Sequence, residues 1–387
     1  MPILPFVVKE YHAPEWMYGL LLTCYAAFQF IGAPFLGALS DSVGRKKVLI
    51  ISQAGTLLSW FVFVFALLLP DYPVLGLSLP LWIIGVSRIL DGITGGNASV
   101  TNAYISDITT RDEKSYIFGY LGGIAGIGMI IGPGLGGLSA STNIGFFGTM
   151  IVAILISTLT LISLFAWLKE SLPEEKRRER RKQSILNTLF IPKRVKEVQP
   201  SYIIKVLFTV KFFFTTMMAF YIGTIALYLI DLFGFDKKQL GLFMLVVGVF
   251  LAFNQAFLSK QFIKRFGEYK TLLIGLSFAA IGLFSITITS NIWLFVSFYY
   301  IMNLGLSLCF PTFNALISIN ADPKKQGEIM GISESINSFT MALFPVIAAT
   351  LYGMIGSHLY HIVSILPITA LILAIIGSKK LKSPDSQ

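Results

Sequence analysis

Charge is what this chain has least of. Only 13% of its 387 residues are Asp, Glu, Lys or Arg, while 55% are apolar. Ordinary soluble domains carry about 25% charged residues. A water-soluble chain of this length would need many more charges to cover its surface, so the composition points to lipid as the solvent. Cysteine is equally scarce. Cys24 and Cys309 both sit inside apolar runs, which excludes a disulfide framework and a thiolate metal site. Histidine is limited to His12, His358 and His361, each at or near the end of an apolar segment. No His/Cys/Asp cluster, no nucleophile with a base and no nucleotide-binding loop is present. The chain is therefore not expected to be an enzyme, to hold a metal or cofactor, or to use ATP itself. The net charge of +10 does not suggest nucleic acid, because the basic residues lie in short loops and not along one face.

What is abundant is long apolar runs. A crossing of the bilayer needs about 20 residues, and eleven segments qualify: 15–39, 48–69, 79–104, 116–139, 144–168, 202–230, 239–259, 271–290, 292–319, 327–355 and 359–378. Residues 1–8 are apolar but too short to cross, and they lack the basic start and cleavage site of a signal peptide. The connecting loops alternate in charge. One set holds Arg45, Lys46 and Lys47, then Arg111 and Lys114, the basic stretch from Lys169 to Lys196, Lys260, Lys264, Arg265 and Lys270, Lys324 and Lys325, and finally Lys379, Lys380 and Lys382. The other set holds Lys9, Lys237 and Lys238. This bias places the basic loops, and the C-terminus with them, on the cytoplasmic side.

The organisation expected is an N-terminal helical bundle over 1–168, a basic cytoplasmic linker over 169–201, a C-terminal bundle over 202–378 and a cytoplasmic tail over 379–387. The linker reads as a solvated charge run, or as a contact for anionic lipid headgroups. An internal repeat supports the division. At an offset of 212 residues, Asn102-Ala103 falls on Asn314-Ala315, Ile105-Ser106 on Ile317-Ser318, Gly119 on Gly331 and Pro133 on Pro345. At an offset of 223, Phe30 and Gly44 fall on Phe253 and Gly267. Two related halves about a central site are one architecture of secondary transporters.

Three motifs carry the functional argument. The loop after the first full span contains Gly37, Asp41, Gly44 and Arg45. Gly37 permits close helix approach, Gly44 a tight turn, and Asp41 is an acid at a helix end with Arg45 as a candidate partner. Arg88-Ile89-Leu90-Asp91-Gly92 continues into Gly95-Gly96. Gly128, Gly132, Pro133, Gly136 and Gly137 give a kinked helix with a smooth face, suited either to close packing or to sealing a passage. The first pattern resembles the signature loop of the major facilitator superfamily. The second resembles that superfamily's arginine-and-glycine signature, and the third its exporter signature. Together with Ala103 to Thr109 the chain is similar to tetracycline/proton antiporters and related bacterial drug exporters. The resemblance implies an all-α integral membrane protein of two six-helix halves, with the first helix truncated here. It further implies a cell-membrane, multi-pass transporter, a small-molecule substrate exchanged for protons, the lipid bilayer as its surroundings and no obligatory protein partner.

Individual residues keep alternative readings. An arginine within a span must face the bundle interior or water. Asp91 lies three residues after Arg88, so it either neutralises Arg88 locally or accepts a proton. The resembled exporters usually carry an uncharged residue there, so its role is not inherited. Glu334 is expected to be a second buried acid, serving as proton carrier, structural acid or substrate contact. Lys211, deep in its span, is a candidate cavity residue. For the substrate, Tyr25, Gln29, Phe213, Gln255, Asn303 and Asn314 are candidate cavity residues, with plain helix packing as the alternative for each. The leading expectation is a proton-coupled exporter of a hydrophobic drug working by alternating access. A polar-solute exporter or symporter, such as one for a sugar, and a non-transporting membrane binding protein or sensor are the alternatives.

Overall fold

The computed structural model describes residues 3–110, 114–177, 191–322 and 325–381. The chain divides into two compact units, one of Met1–Leu189 with Asp236–Met244 and one of Phe190–Phe235 with Leu245–Gln387. Among the described residues, seven helical stretches are long and apolar enough to cross a membrane. Two of these, Lys237–Ser285 and Gln326–Gly377, each join more than one helix.

The first unit begins with the short helix α1 (Leu4–Glu10). It continues through α2 (Glu15–Val43), α3 (Arg45–Leu68), a hairpin of β1 (Pro73–Val74) and β2 (Leu77–Ser78), α4 (Leu79–Gly95), α5 (Ala98–Ile108), α6 (Lys114–Ala140) and α7 (Phe146–Trp167). Helix α4 packs on both α2 and α3, and α7 packs on α3 and α6. Glycines make these approaches possible. A β-carbon on Gly92 would stand 2.5 Å from the Tyr25 carbonyl oxygen, and one on Gly96 would stand 2.6 Å from the Ala33 nitrogen. At these two glycines the backbones themselves touch, and close van der Waals contact holds the helices together there. The expected single span over 79–104 is broken here. Helix α4 ends at Gly95 and α5 starts at Ala98, because the Gly95-Gly96-Asn97 run gives the backbone little helical preference.

The second unit contains α8 (Ile191–Val198), α9 (Tyr202–Phe233), the second half of α10 (Lys237–Phe253) with a π turn over Asn254–Leu258, α11 (Ser259–Ser285), α12 (Ile292–Asn320), α13 (Gln326–Ile355), α14 (Leu359–Val363) and α15 (Ile365–Leu381). Helix α9 packs on α13, α15 and α12, and is buried along most of its length. Its N-terminus is capped by the Ser201 hydroxyl, and its C-terminus closes on Gly234 in the left-handed region. Helix α11 packs on α12 through Gly282, where an added β-carbon would stand 2.5 Å from the Met302 nitrogen. Helix α8 falls within the segment read from sequence as a solvated linker, and it packs on α13. Residues 178–190, which include Arg178 to Lys182 of the charge run, lie outside the described residues.

The internal repeat is visible in the backbone. Gly44, between α2 and α3, has φ 105° and ψ 152°, and Gly267, at a kink inside α11, has φ 77° and ψ 166°. A side chain at either position would be strained. Pro133 and Pro345 both lie inside helices, α6 and α13. The surface is apolar in the manner of a lipid-facing protein. Ile51, Leu58, Phe61, Phe65 and Leu68 of α3 are all exposed, as are Leu155, Leu159 and Ile162 of α7. Helices suit this solvent because they satisfy their backbone hydrogen bonds internally.

The glycine contacts are testable. Gly92→Val should destabilise the protein by about 1–3 kcal/mol through overpacking. Gly128→Ala, where an added β-carbon meets nothing within 4 Å, should be neutral or gain up to about 1 kcal/mol from helix propensity. Thermal unfolding of both variants in detergent measures the difference.

Candidate functional site

Helix α4 places the site of the first unit. Arg88 and Asp91 are one helical turn apart, so both side chains project from nearly the same face. The Arg88 Nη1 donates to Asp91 Oδ2 at 3.1 Å, and the two side chains are 3% and 9% exposed. The rings of Trp60 and Phe63 on α3 lie 4.9 Å and 5.6 Å from the guanidinium carbon. A desolvated cation over an aromatic face gains about 2 kcal/mol. The Thr56 hydroxyl of α3 lies 3.3 Å from the Thr94 hydroxyl of α4. Ser87 donates to the Ser59 carbonyl at 2.8 Å, and Ser52 donates to the Thr94 carbonyl at 2.5 Å, tying α4 to α3 on both sides of the pair.

The pair borders a cavity of about 480 Å³. Its wall is mainly apolar and includes Leu21, Tyr25, Trp60, Pro133 and Val152, with Arg88 and Asp91 as its charged members. Gln29 donates to the Tyr25 hydroxyl at 3.2 Å and to the Gly95 carbonyl at 3.3 Å, fixing the phenol beside α4. On the α6 side, Gly132, Pro133 and Gly136 line the cavity, and the Gly136 carbonyl accepts from the Thr149 hydroxyl at 3.0 Å. Pro133 cannot donate its backbone nitrogen to the preceding turn, which loosens α6 where it borders the cavity. Gly137 faces the opposite way. A β-carbon there would stand 2.5 Å from the Gly241 α-carbon, in the Asp236–Met244 segment of the same unit.

The loop between α2 and α3 forms a separate charged cluster. Arg45 pairs with Asp41 at 2.6 Å and with Asp107 of α5 at 3.1 Å, and its guanidinium also donates to the Ser40 hydroxyl. Glu170, just after α7, accepts from the backbone nitrogens of Arg45 and Lys46 at 2.8 and 3.2 Å. A carboxylate at this position satisfies two open N–H groups at the start of α3 and complements the helix dipole. Ser171 donates to Asp107 at 3.2 Å. One cluster therefore joins α2, α3, α5 and the end of α7.

Residues 1–345 match the family described as Major Facilitator Superfamily. The chain belongs to that superfamily. This facilitator is a multi-pass membrane transporter of small molecules and not an enzyme. It is 29% identical over 365 residues to the class C tetracycline resistance protein of Escherichia coli, covering 92% of this chain and 86% of that one. It is 27% identical over 357 residues to Multidrug resistance protein 2 of Bacillus subtilis, covering 92% and 84%. Its fold is shared with an inward-facing bacterial homologue of the lysosomal transporter Spinster, with a TM-score of 0.74 at 12% identity over 99% of this chain and 94% of that one. It is also shared with a D-xylose–proton symporter, with a TM-score of 0.71 at 17% identity over 96% and 91%.

Several expected site residues of this facilitator do come together. Arg88, Asp91, Tyr25, Gly132, Pro133 and Gly136 surround one cavity, with Gln29 behind Tyr25. Asp41, Gly44 and Arg45 form the corner of the charged cluster, while Gly37 faces Ser99 instead. The expectation of close packing along the glycine-rich face of α6 holds at Gly137 but not at Gly128 or Gly132, where an added β-carbon meets nothing within 4 Å. Glu334 is a correction. It is exposed, not buried, because Ser333 takes the inward position of that turn and Glu334 lies about 100° further round the helix. In the second unit Asn303 is buried and engaged, accepting from Asn254 at 3.5 Å and donating to the Val247 carbonyl at 3.4 Å. Asn314 is exposed, and Phe213 and Gln255 are half-buried. Trp60, Thr56 and Glu170 were not anticipated. The spacing of Thr56 and Trp60, four residues apart on α3, was the available signal for two of them.

The charge balance at the site gives a test. Asp91→Asn removes the carboxylate from a buried arginine and should cost about 3–5 kcal/mol. The double variant Arg88→Met/Asp91→Asn should recover much of that loss. Thermal unfolding in detergent of the single and double variants checks the coupling.

Proposed function

We propose that this facilitator exports a small hydrophobic drug of the tetracycline kind in exchange for protons, by alternating access. The observation that carries the reading is the mainly apolar, aromatic-lined cavity with the Arg88–Asp91 pair in its wall. The likeness to tetracycline-resistance proteins over nine-tenths of the chain supports it. An apolar wall with a few polar groups suits an amphipathic, aromatic substrate. Asp91 supplies the titratable group. When it is ionised, Arg88 holds it. When it takes a proton, Arg88 loses its charge partner and must find others, and the packing of α4 against α3 responds. Two arrangements that depend on one proton are the minimum needed for coupling.

The basic loops, on this reading, face the cytoplasm together with the C-terminus. Export is then outward, driven by proton entry. In inverted membrane vesicles energised to be acidic inside, adding tetracycline should release lumenal protons, read as recovery of a quenched pH dye. Asp91→Asn should reduce that recovery at least about tenfold, equivalent to 1.4 kcal/mol or more in the coupled step. Absence of any proton movement with tetracycline or other hydrophobic drugs would overturn the reading and leave a polar-solute carrier in its place.

A further inference from the structure

A smaller cavity, of about 210 Å³, lies inside the second unit between α9, α11, α12 and α15. Helix ends locate it. Helix α9 starts at Tyr202, α12 ends at Asn320, α15 ends at Leu381, and α11 resumes after the kink at Gly267. Ile203, Tyr269 and Asn320, the lining residues nearest those ends, are half-buried and form the mouth. Leu207, Val210 and Leu316 lie deeper and are buried. From Ile203 to Val210 the helix rises about 10 Å.

The wall suits an apolar occupant. Its two side chains with hydrogen-bonding groups are already engaged. The Tyr269 hydroxyl donates to the Ala374 carbonyl at 2.6 Å, and the Asn320 amide donates to the Leu316 carbonyl at 2.8 Å. Water would find few partners here. The first of these bonds braces α11 against α15. Gly377 brings α15 onto α9, where an added β-carbon would stand 2.6 Å from Val206 Cγ1. The helices therefore meet around the gap, and the wall atoms facing it lack dispersion partners.

The end of the unit at which the mouth lies is basic. Lys270, adjacent to the lining Tyr269, is exposed, as are Lys264 and Arg265 on the other side of the Gly267 kink. Lys379 and Lys380 follow the lining Gly377 by two and three positions. The acids on these stretches are Glu268 and, beyond α12, Asp322. The balance is positive.

We propose that this cavity holds one acyl chain of an anionic phospholipid, with the lipid phosphate beside Lys270 at the mouth. The chain leaves one hydrocarbon environment for another, so its burial carries no hydrophobic gain. Contact with the unfilled wall holds the chain. The headgroup charge selects the lipid, because each cation near the membrane surface adds attraction to an anionic headgroup. This lipid site is independent of the exported substrate and of the proton cycle.

Purified full chain in a neutral detergent, titrated with phosphatidylglycerol and followed by native mass spectrometry, reads the site directly. One phosphatidylglycerol should be retained at least about fivefold more tightly than phosphatidylcholine with the same chains. Lys270→Gln should weaken phosphatidylglycerol by about fivefold and leave phosphatidylcholine unchanged. Ala374→Leu, which fills the cavity from its wall, should abolish the retained lipid. Equal retention of the two lipids, or full retention in Ala374→Leu, overturns the proposal. A second measurement uses the wild-type chain alone. Phosphatidylglycerol carrying a diazirine in its acyl chain should crosslink to residues 203–210 of α9 and 316–320 of α12. Excess unlabelled phosphatidylglycerol should remove those adducts, and phosphatidylcholine should not. Adducts confined to the exposed faces of α3 and α7 mean ordinary annular lipid and overturn the proposal.

Discussion

A buried arginine facing a carboxylate one turn away is the interaction on which the first unit depends. An isolated charge in hydrocarbon is too costly to keep, so Arg88 fixes which face of α4 points inward. Once that face is set, Gly92 must meet the backbone of α2, and Ser87 must meet α3. The aromatic rings of Trp60 and Phe63 then complete the wall around the guanidinium. The same pair that orients the helix also provides a titratable group beside the cavity. Structure and chemistry are not separable at this position, which is why double variants are more informative than single ones.

Packing elsewhere follows a different rule. Lipid offers no hydrophobic advantage to helix association, so small residues and hydrogen bonds must supply it. Both units use glycine at their tightest crossings, α2 on α4 in the first and α11 on α12 in the second. The charged corner at Arg45 works in water instead. There Glu170 caps α3 and Asp107 holds Arg45, so four elements meet through directed polar contacts. The consequence is a division of labour within one unit between contacts that lipid strengthens and contacts that water and salt weaken.

Much of the fold was legible because the bilayer imposes a length on every crossing. Helix positions such as Ile292–Asn320 and Gln326–Ile355 follow the apolar runs closely. The Arg88–Asp91 contact was legible from a spacing of three. What the sequence could not show was anything decided by rotation within a turn or by a partner distant in the chain. Glu334 was expected inside because it lies within the apolar run 327–355, yet Ser333 holds the inward position. Glu170 is 125 positions from the Arg45 amide it caps, and no local pattern announces such a pairing. The break at Gly96 was hidden for another reason, since hydropathy averages over a window wider than a single break between helices.

The π turn at Asn254–Leu258 has an evolutionary consequence. Such a turn amounts to one residue more than an α-helix needs. Here it accompanies a buried Asn254, whose side chain donates to Asn303 and accepts from the Tyr300 hydroxyl at 3.0 Å. Deleting a single residue from this turn would restore an ordinary helix with its two flanks facing as before, because the wider turn absorbs the extra residue. The change would fall on the turn itself, where the extra residue seats Asn254 against α12. At this place in the chain a one-codon deletion acts locally, removing the widening that seats the buried amides while leaving the faces of the rest of the helix as they are.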